Sequence, residues 1–263
     1  MKLLTLNCHS WHEENQLEKI GYLAEAIKEN GYDVIALQEV NQSIDAPLIG
    51  EIIKKDNFAV VLLQQLEKIG AAGYSLVWDF SHLVYGKFEE GSAILTKHPV
   101  TAEHSFFVSG IVDPEVWKSR KIVGAKIDYR GTPVSVYSCH TGWWDDEEEP
   151  FKQQAEALMK QLPKDEPVFL LGDFNNNAFI SGEGYEYLMN QGLYDTYSLA
   201  KEKDEGITVK GKITGWNNNK EDLRIDLILM NPPLPTAYSK VIFNSRNKPV
   251  VSDHFGVEAE VEL

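Results

Sequence analysis

Two short segments carry the residues best suited to chemistry. Gly172-Asp173-Phe174-Asn175 follows the apolar run Val168–Leu171, and Ser252-Asp253-His254 precedes Phe255–Val257. Together they supply carboxylates, an amide and an imidazole. A carboxylate can take a proton from water, while an amide N–H or an imidazolium can stabilise charge growing on a phosphoryl oxygen. A divalent cation held by the same oxygens would complete the parts needed to hydrolyse a phosphate ester.

Other polar residues stand at the ends of apolar runs. Asn7 follows Leu3–Leu6, Glu39 follows Val34–Leu37, and His140 follows Val134–Cys139. Asp226 interrupts Leu223–Met230. Strand ends hold side chains rigidly, and one sheet edge can gather several of them. The remaining pattern gives the frame. Leu17, Ile20, Leu23, Ala24 and Ile27 recur at helical spacing, with Asn30-Gly31 as the stop. The spacing predicts helices over 44–54, 150–162 and 184–191, and strands over 59–64, 75–80, 91–96, 106–108, 121–128, 240–243 and 255–262. Arg130-Gly131-Thr132-Pro133 turns one strand into the next, and 204–219 reads as a polar loop or weak hairpin. No linker composition interrupts the 263 residues. The expectation is one domain, 1–263, of class α+β: two mostly antiparallel sheets face to face with helices outside.

The formal net charge is −15, and no Lys/Arg run offsets it. Nucleic acid is bound chiefly by neutralising phosphates, so no nucleic-acid partner is expected. No apolar run reaches membrane-spanning length, so no membrane partner is expected either. Cys8 and Cys139 lack metal-ligand spacing and read as small buried hydrophobes. The N-terminus runs directly into a strand, which points to a cytoplasmic protein. Nothing in the sequence specifies self-association.

Six segments in order resemble the endonuclease/exonuclease/phosphatase superfamily, whose members include DNase I-like nucleases, sphingomyelinases and inositol-phosphate phosphatases. They are Thr5-Leu6-Asn7, Ala36-Leu37-Gln38-Glu39-Val40, Cys139-His140-Thr141, Leu171-Gly172-Asp173-Phe174-Asn175, Arg224-Ile225-Asp226 and Ser252-Asp253-His254. Any one is weak, but six in order from Asn7 to His254 are specific. The resemblance implies a four-layer α/β/β/α sandwich, a phosphoric ester hydrolase, and Mg²⁺ with Mn²⁺ as the alternative. It implies Glu39 and Asn7 as metal ligands and Asp253 as a ligand or support for a second ion. It makes Asp173 the base for the attacking water and Asn175 the holder of a phosphoryl oxygen. His254 would stabilise the transition state with Asp226 fixing its tautomer, and His140 would meet a phosphate oxygen or the leaving group. Arg120 opens the strand before that of His140, where related enzymes keep a phosphate-binding basic residue. Each residue also has a plainer reading: a turn residue for Asn7, a surface carboxylate for Glu39, an interior histidine for His140, a partner of Arg224 for Asp226, and a solvated charge for Arg120.

Substrate choice must come from the loops. Trp11, Trp143, Trp144 and Trp216 lie beside motifs or in the polar loop, and flat indoles next to Asn, Asp and Glu suit a sugar ring. Core anchoring is the competing reading for each. The acidic run Asp145–Glu149 would repel a polyanion and tolerate a neutral sugar with one phosphate, or would simply precede a helix. Cys8-His9-Ser10-Trp11, His140-Thr141-Gly142-Trp143-Trp144-Asp145 and Gly192–Tyr197 resemble the cytoplasmic branch of the superfamily that acts on maltose 6′-phosphate. The expected activity is phosphomonoester hydrolysis on such a small phosphorylated sugar. A phosphodiesterase of the same superfamily, nuclease or sphingomyelinase-like, is the alternative.

Overall fold

A computed structural model describes residues 1–263. The chain runs β1 (Lys2–Asn7), α1 (Gln16–Asn30), β2 (Val34–Ser43), α2 (Phe58–Lys68), β3 (Ser75–Val84), β4 (Phe88–Thr96) and β5 (Val100–Phe107). It continues with β6 (Lys121–Tyr129), β7 (Thr132–His140), α3 (Phe151–Gln161), β8 (Val168–Asp173), α4 (Gly184–Asn190), β9 (Tyr194–Asp195) and α5 (Thr196–Leu199). It closes with β10 (Ala200–Lys203), β11 (Val209–Lys210), β12 (Asp222–Leu223), β13 (Asp226–Asn231), β14 (Thr236–Ile242) and β15 (Gly256–Val261).

The strands form two large sheets, ordered β10-β14-β15-β1-β2-β4-β3 and β5-β6-β7-β8-β13-β9, plus the small hairpin β11-β12. Pairing is antiparallel except for β1/β2, β7/β8 and β10/β14. The central strands alternate two apolar faces. In β1, Leu3 packs between the sheets with Val34, Ala36, Val136 and Phe169, whereas Leu4 and Leu6 face outward against Ile20, Leu23 and Ile27 of α1. On the far side, Leu170 and Leu229 meet Phe151, Leu158 and Leu188 of α3 and α4. Three stacked cores, outer helix–sheet, sheet–sheet and sheet–helix, make the four-layer α/β/β/α sandwich.

Several local expectations change. Residues 44–54 form turns, not a helix, and 58–68 form α2 where a strand was expected. The apolar run Phe58–Leu63 has no period-2 alternation, Asn57 caps it by accepting from Ala59 N–H at 3.0 Å, and it buries Phe58, Ala59, Leu62 and Leu66 against α1. Strand β5 begins at Val100, six residues before expectation. The run 223–230 breaks at Arg224-Ile225, so Asp226 opens β13 instead of interrupting a longer strand. Leu17 fits the helical stripe but is 70% exposed, leaving Ile20, Leu23, Ala24 and Ile27 as the buried face of α1.

Candidate active site

Strand register builds the site. Along β8, Asp173 lies opposite His140 of β7 on one side and Asp226 of β13 on the other. Gly172 makes this approach feasible, because a Cβ there would fall 1.9 Å from the Cys139 carbonyl oxygen. In the facing sheet β1 and β2 pair in parallel, which sets Asn7 beside Gln38. Gln38 Nε2 donates to Ser138 Oγ at 2.9 Å, and Ser138 Oγ donates to the Leu37 carbonyl at 2.9 Å. These buried bonds tie the two sheets together directly beneath the site.

Glu39 is not at a strand end. Strand β2 continues to Ser43, and the register against β4 shifts between Leu37 and Val40. Glu39 takes φ 50 at this bulge. Bulges re-aim side chains, and left-handed backbone is uncommon at a non-glycine residue. The Asn7 amide N–H₂ bridges two acids, donating to Glu39 Oε1 at 2.9 Å and to Asp173 Oδ2 at 3.2 Å.

Three titratable groups are driven in different directions. Burial, opposed by His254 and reinforced by Asp226, lifts Asp173 to about 6. Burial disfavours a charged His254, but Asp226 and Asp173 outweigh it and carry its pKa up to about 10. Its Nδ1 lies 3.0 Å from Asp226 Oδ2. Burial, then the Arg120 guanidinium, holds His140 well below the usual imidazole range. Near pH 8 the site therefore carries a carboxylate at Asp173, an imidazolium at His254 and a neutral His140, the separation of roles that acid–base chemistry needs. The His140 Nε2 and His254 Nε2 atoms stand 3.7 and 3.8 Å from Asp173 Oδ2.

Asp226 does not pair with Arg224, whose guanidinium is bound to Asp195 instead. Arg120, just before β6, is 5% exposed and lies against His140, with Nη1 3.3 Å from Nδ1. It is a buried charge at the site, not a solvated one. Asp253 Oδ1 is 3.7 Å from His9 Nδ1, and His9 is in turn 2.7 Å from Glu13. As a ligand it would belong to that group.

A cleft of about 580 Å³ opens over these residues. Glu39, Arg120, His140, Asp173, Asn175 and His254 line its inner end. Trp143 and Trp117 form an aromatic wall with ring centroids 5.9 Å apart, and the Arg120 guanidinium lies 5.8 and 6.0 Å from the two rings. The other expected tryptophans lie elsewhere. Trp11 packs edge-on against Phe58 and donates to the Asn41 and Asp56 carbonyls, so it anchors a loop to the α1 side. Trp144 turns the opposite way from Trp143, toward Phe151 and Tyr187 under α3. Trp216 is absent from the lining and donates to Asn175 Oδ1 at 2.9 Å. Three of the four are thus packing or bracing residues, as large side chains usually are.

Further cleft residues have no motif to announce them: Trp117, Tyr85, His12, His82 and Glu90. Buried Glu90 sits 3.3 Å from His82 Nε2 and drives Glu39 upward. Its strand face carries Phe88, Glu90, Ser92, Ile94 and Thr96, so no clean alternation marks the glutamate. In the acidic run, Glu149 is buried and accepts from Gly110 N–H at 2.9 Å and Ile111 N–H at 2.6 Å. Lys118 donates to Asp146 at 2.9 Å. The run therefore staples the Trp117 loop to the Trp143 loop.

The donor set suits a hard divalent cation. Burial and Glu90 push Glu39 up to about 8, against the pull of the Asn7 N–H and with Asp253 adding to the rise. A carboxylate so poor in neutralising partners, beside a second buried one at Asp173, is the oxygen-rich and electron-rich environment that Mg²⁺ or Mn²⁺ relieves.

Known proteins share the family and the fold. The sequence profile of the Endonuclease/Exonuclease/phosphatase family matches residues 11–254. The chain is similar to an endonuclease/exonuclease/phosphatase family protein from Leptotrichia buccalis, at 42% identity over 100% of both chains and TM-score 0.93. The fold is shared at 17% identity with a Bacteroides thetaiotaomicron mannosyl-6-phosphatase, over 100% of both chains with TM-score 0.73. It is also shared at 20% identity with a Neisseria 3′ phosphatase bound to a product DNA hairpin, over 100% of both chains with TM-score 0.65. No curated protein matches the chain in sequence. The protein belongs to the endonuclease/exonuclease/phosphatase family of phosphoric ester hydrolases.

Proposed function

We propose that the chain is a divalent-metal-dependent phosphomonoesterase for a small phosphorylated sugar, with maltose 6′-phosphate as the first substrate to test. One observation carries this reading: Arg120 is the only lysine or arginine lining the cleft. A groove for nucleic acid must neutralise a run of phosphates, whereas one buried guanidinium matches one phosphate group. Beyond it the lining offers the Trp117 and Trp143 rings, Tyr85, and the hydrogen-bonding groups of Glu115, Thr214 and Asn217. That combination suits a neutral ring bearing hydroxyls. Two buried, unpaired cysteines, Cys8 and Cys139, fit a reducing cytoplasmic setting. No helix is long and apolar enough to cross a membrane.

Glu39 with Asn7 would hold the cation, which supplies charge stabilisation for the phosphoryl oxygens when bound. Asp173 takes the proton of the attacking water. The Asn175 amide donates to a phosphoryl oxygen. His254, fixed by Asp226 with a proton on each ring nitrogen, donates from Nε2 to the charge that grows in the transition state. Neutral His140 and cationic Arg120 receive the phosphate from the opposite side.

Phosphate release from a panel of phosphosugars, with EDTA and metal add-back, tests this. Turnover of a sugar phosphate that EDTA removes and Mg²⁺ or Mn²⁺ restores supports it. Faster turnover of bis-p-nitrophenyl phosphate than of any monoester would replace it with the phosphodiesterase alternative.

A further inference from the structure

Trp216 lies outside the cleft lining, yet its indole N–H reaches Asn175 Oδ1 at 2.9 Å. Asn175 Nδ2 donates to the Thr141 carbonyl at 2.9 Å, and Asn175 N–H donates to Asp173 Oδ1 at 2.8 Å. An indole nitrogen can only donate, and a carbonyl oxygen can only accept. Between them they permit one orientation of the amide, with Oδ1 toward Trp216 and Nδ2 toward Thr141. The inverted amide would set N–H against N–H and oxygen against oxygen. Asn175 is 4% exposed, so water cannot compensate such a flip. A phosphoryl oxygen in front of Asn175 needs an N–H. The amide has two, and Thr141 uses one.

Trp216 also belongs to the turn that borders the cleft. Ile213 and Trp216 pack on Val209, Leu223 and Ile225, while Thr214, Gly215 and Asn217 line the cavity. Gly215 has φ 84, and a Cβ there would stand 2.8 Å from Cζ2 of Trp143, so the turn rests on the aromatic wall. Asn219 Nδ2 donates to the Gly211 carbonyl at 2.6 Å and closes the loop. One short segment thus touches the leaving-group side of the cleft and grips an amide at the phosphoryl side.

We infer that Trp216 is a positioning residue: its indole N–H locks the Asn175 amide with an N–H toward the phosphoryl group, and ties that orientation to the seating of the cleft-lining turn. The inference rests on the assignment of Asn175 to a phosphoryl oxygen.

Trp216→Phe keeps the ring and removes the N–H. With Mg²⁺ and p-nitrophenyl phosphate, kcat should fall about tenfold and KM should stay within about twofold, the signature of an interaction used in the transition state. In an Asn175→Ala background the same substitution should add no further loss, because the group it orients is gone. Loosening of the turn by itself would lower kcat in both backgrounds. Wild-type kcat in Trp216→Phe, or an equal loss in both backgrounds, overturns the inference while leaving the phosphatase reading intact. Wild-type kcat in Asn175→Ala alone removes the assignment beneath it, and the inference with it.

Discussion

His254 Nδ1 lies 3.0 Å from Asp226 Oδ2, and both side chains are buried. The pair forms because β13 starts at Asp226, directly opposite Asp173, while the 252–254 turn lowers the imidazole between the two acids. Asp226→Asn should cut kcat by about two to three decades, since the imidazole loses both its orienting partner and its charge. The alkaline limb of the pH–rate profile should move downward from about 10. The sign for stability follows. A histidine raised from 6.5 contributes stability that is fully present below 6.5 and lost as pH climbs through about 10. The advantage of the wild type over Asp226→Asn in urea unfolding should therefore shrink across that window. An advantage that grew with pH would refute the imidazolium.

Glu39 gives a second pH dependence. In the metal-free protein its carboxyl is raised from 4.5 to about 8, so its stabilising contribution is present below 4.5 and lost as pH rises through about 8. A cation requires the carboxylate, and binding must release a proton. Calorimetric affinity for Mg²⁺ or Mn²⁺ should strengthen up to about pH 8 and then level, and Glu39→Gln should remove most of the binding. Affinity independent of pH between 5 and 8 would contradict a protonated Glu39.

Gly172→Ala tests the strand approach that seats Asp173. With a Cβ meeting the Cys139 carbonyl at 1.9 Å, β7 and β8 must separate. The substitution should cost about 3 kcal/mol in denaturant unfolding and abolish turnover. A folded, active variant would mean that the two strands tolerate a wider spacing.

The tryptophans should separate by position. Trp117→Ala should raise KM for the preferred phosphosugar about tenfold with kcat nearly unchanged, as expected for a lost stacking surface. Trp11→Ala should leave KM alone and cost about 2 kcal/mol of stability, because its ring is packed against Phe58 and its N–H is bound to two carbonyls. The reverse pattern would place the sugar on the wrong side of the molecule.

Some of this was legible in the chain and some was not. The strands that carry Asn7, His140 and Asp173 announce themselves by apolar runs ending in a polar residue, since a central strand buried on both faces has no other way to be written. Helix α1 is equally plain in its stripe and its Gly31 stop. The interchange at 44–68 was not readable, because a short apolar run such as Phe58–Leu63 serves a helix or a buried strand equally well until a neighbour is chosen for it. Nor could the side chain of Trp143 be told from that of Trp144. Both lie in the turn after β7, where no strand alternation applies, and only the packing of α3 against the sheet decides which indole is interior.

The sequence by itself determined the family and the order in which its polar residues follow apolar runs, because those short segments are local patterns written along the chain. The tertiary structure decided everything that depends on distance between chain-remote residues. It set the β2 bulge that aims Glu39, the meeting of Glu90 with Glu39, the single guanidinium in the cleft, and the grip of Trp216 on Asn175. Those terms arise from register, burial and field, which are sums over the folded molecule and are written in no single segment of it.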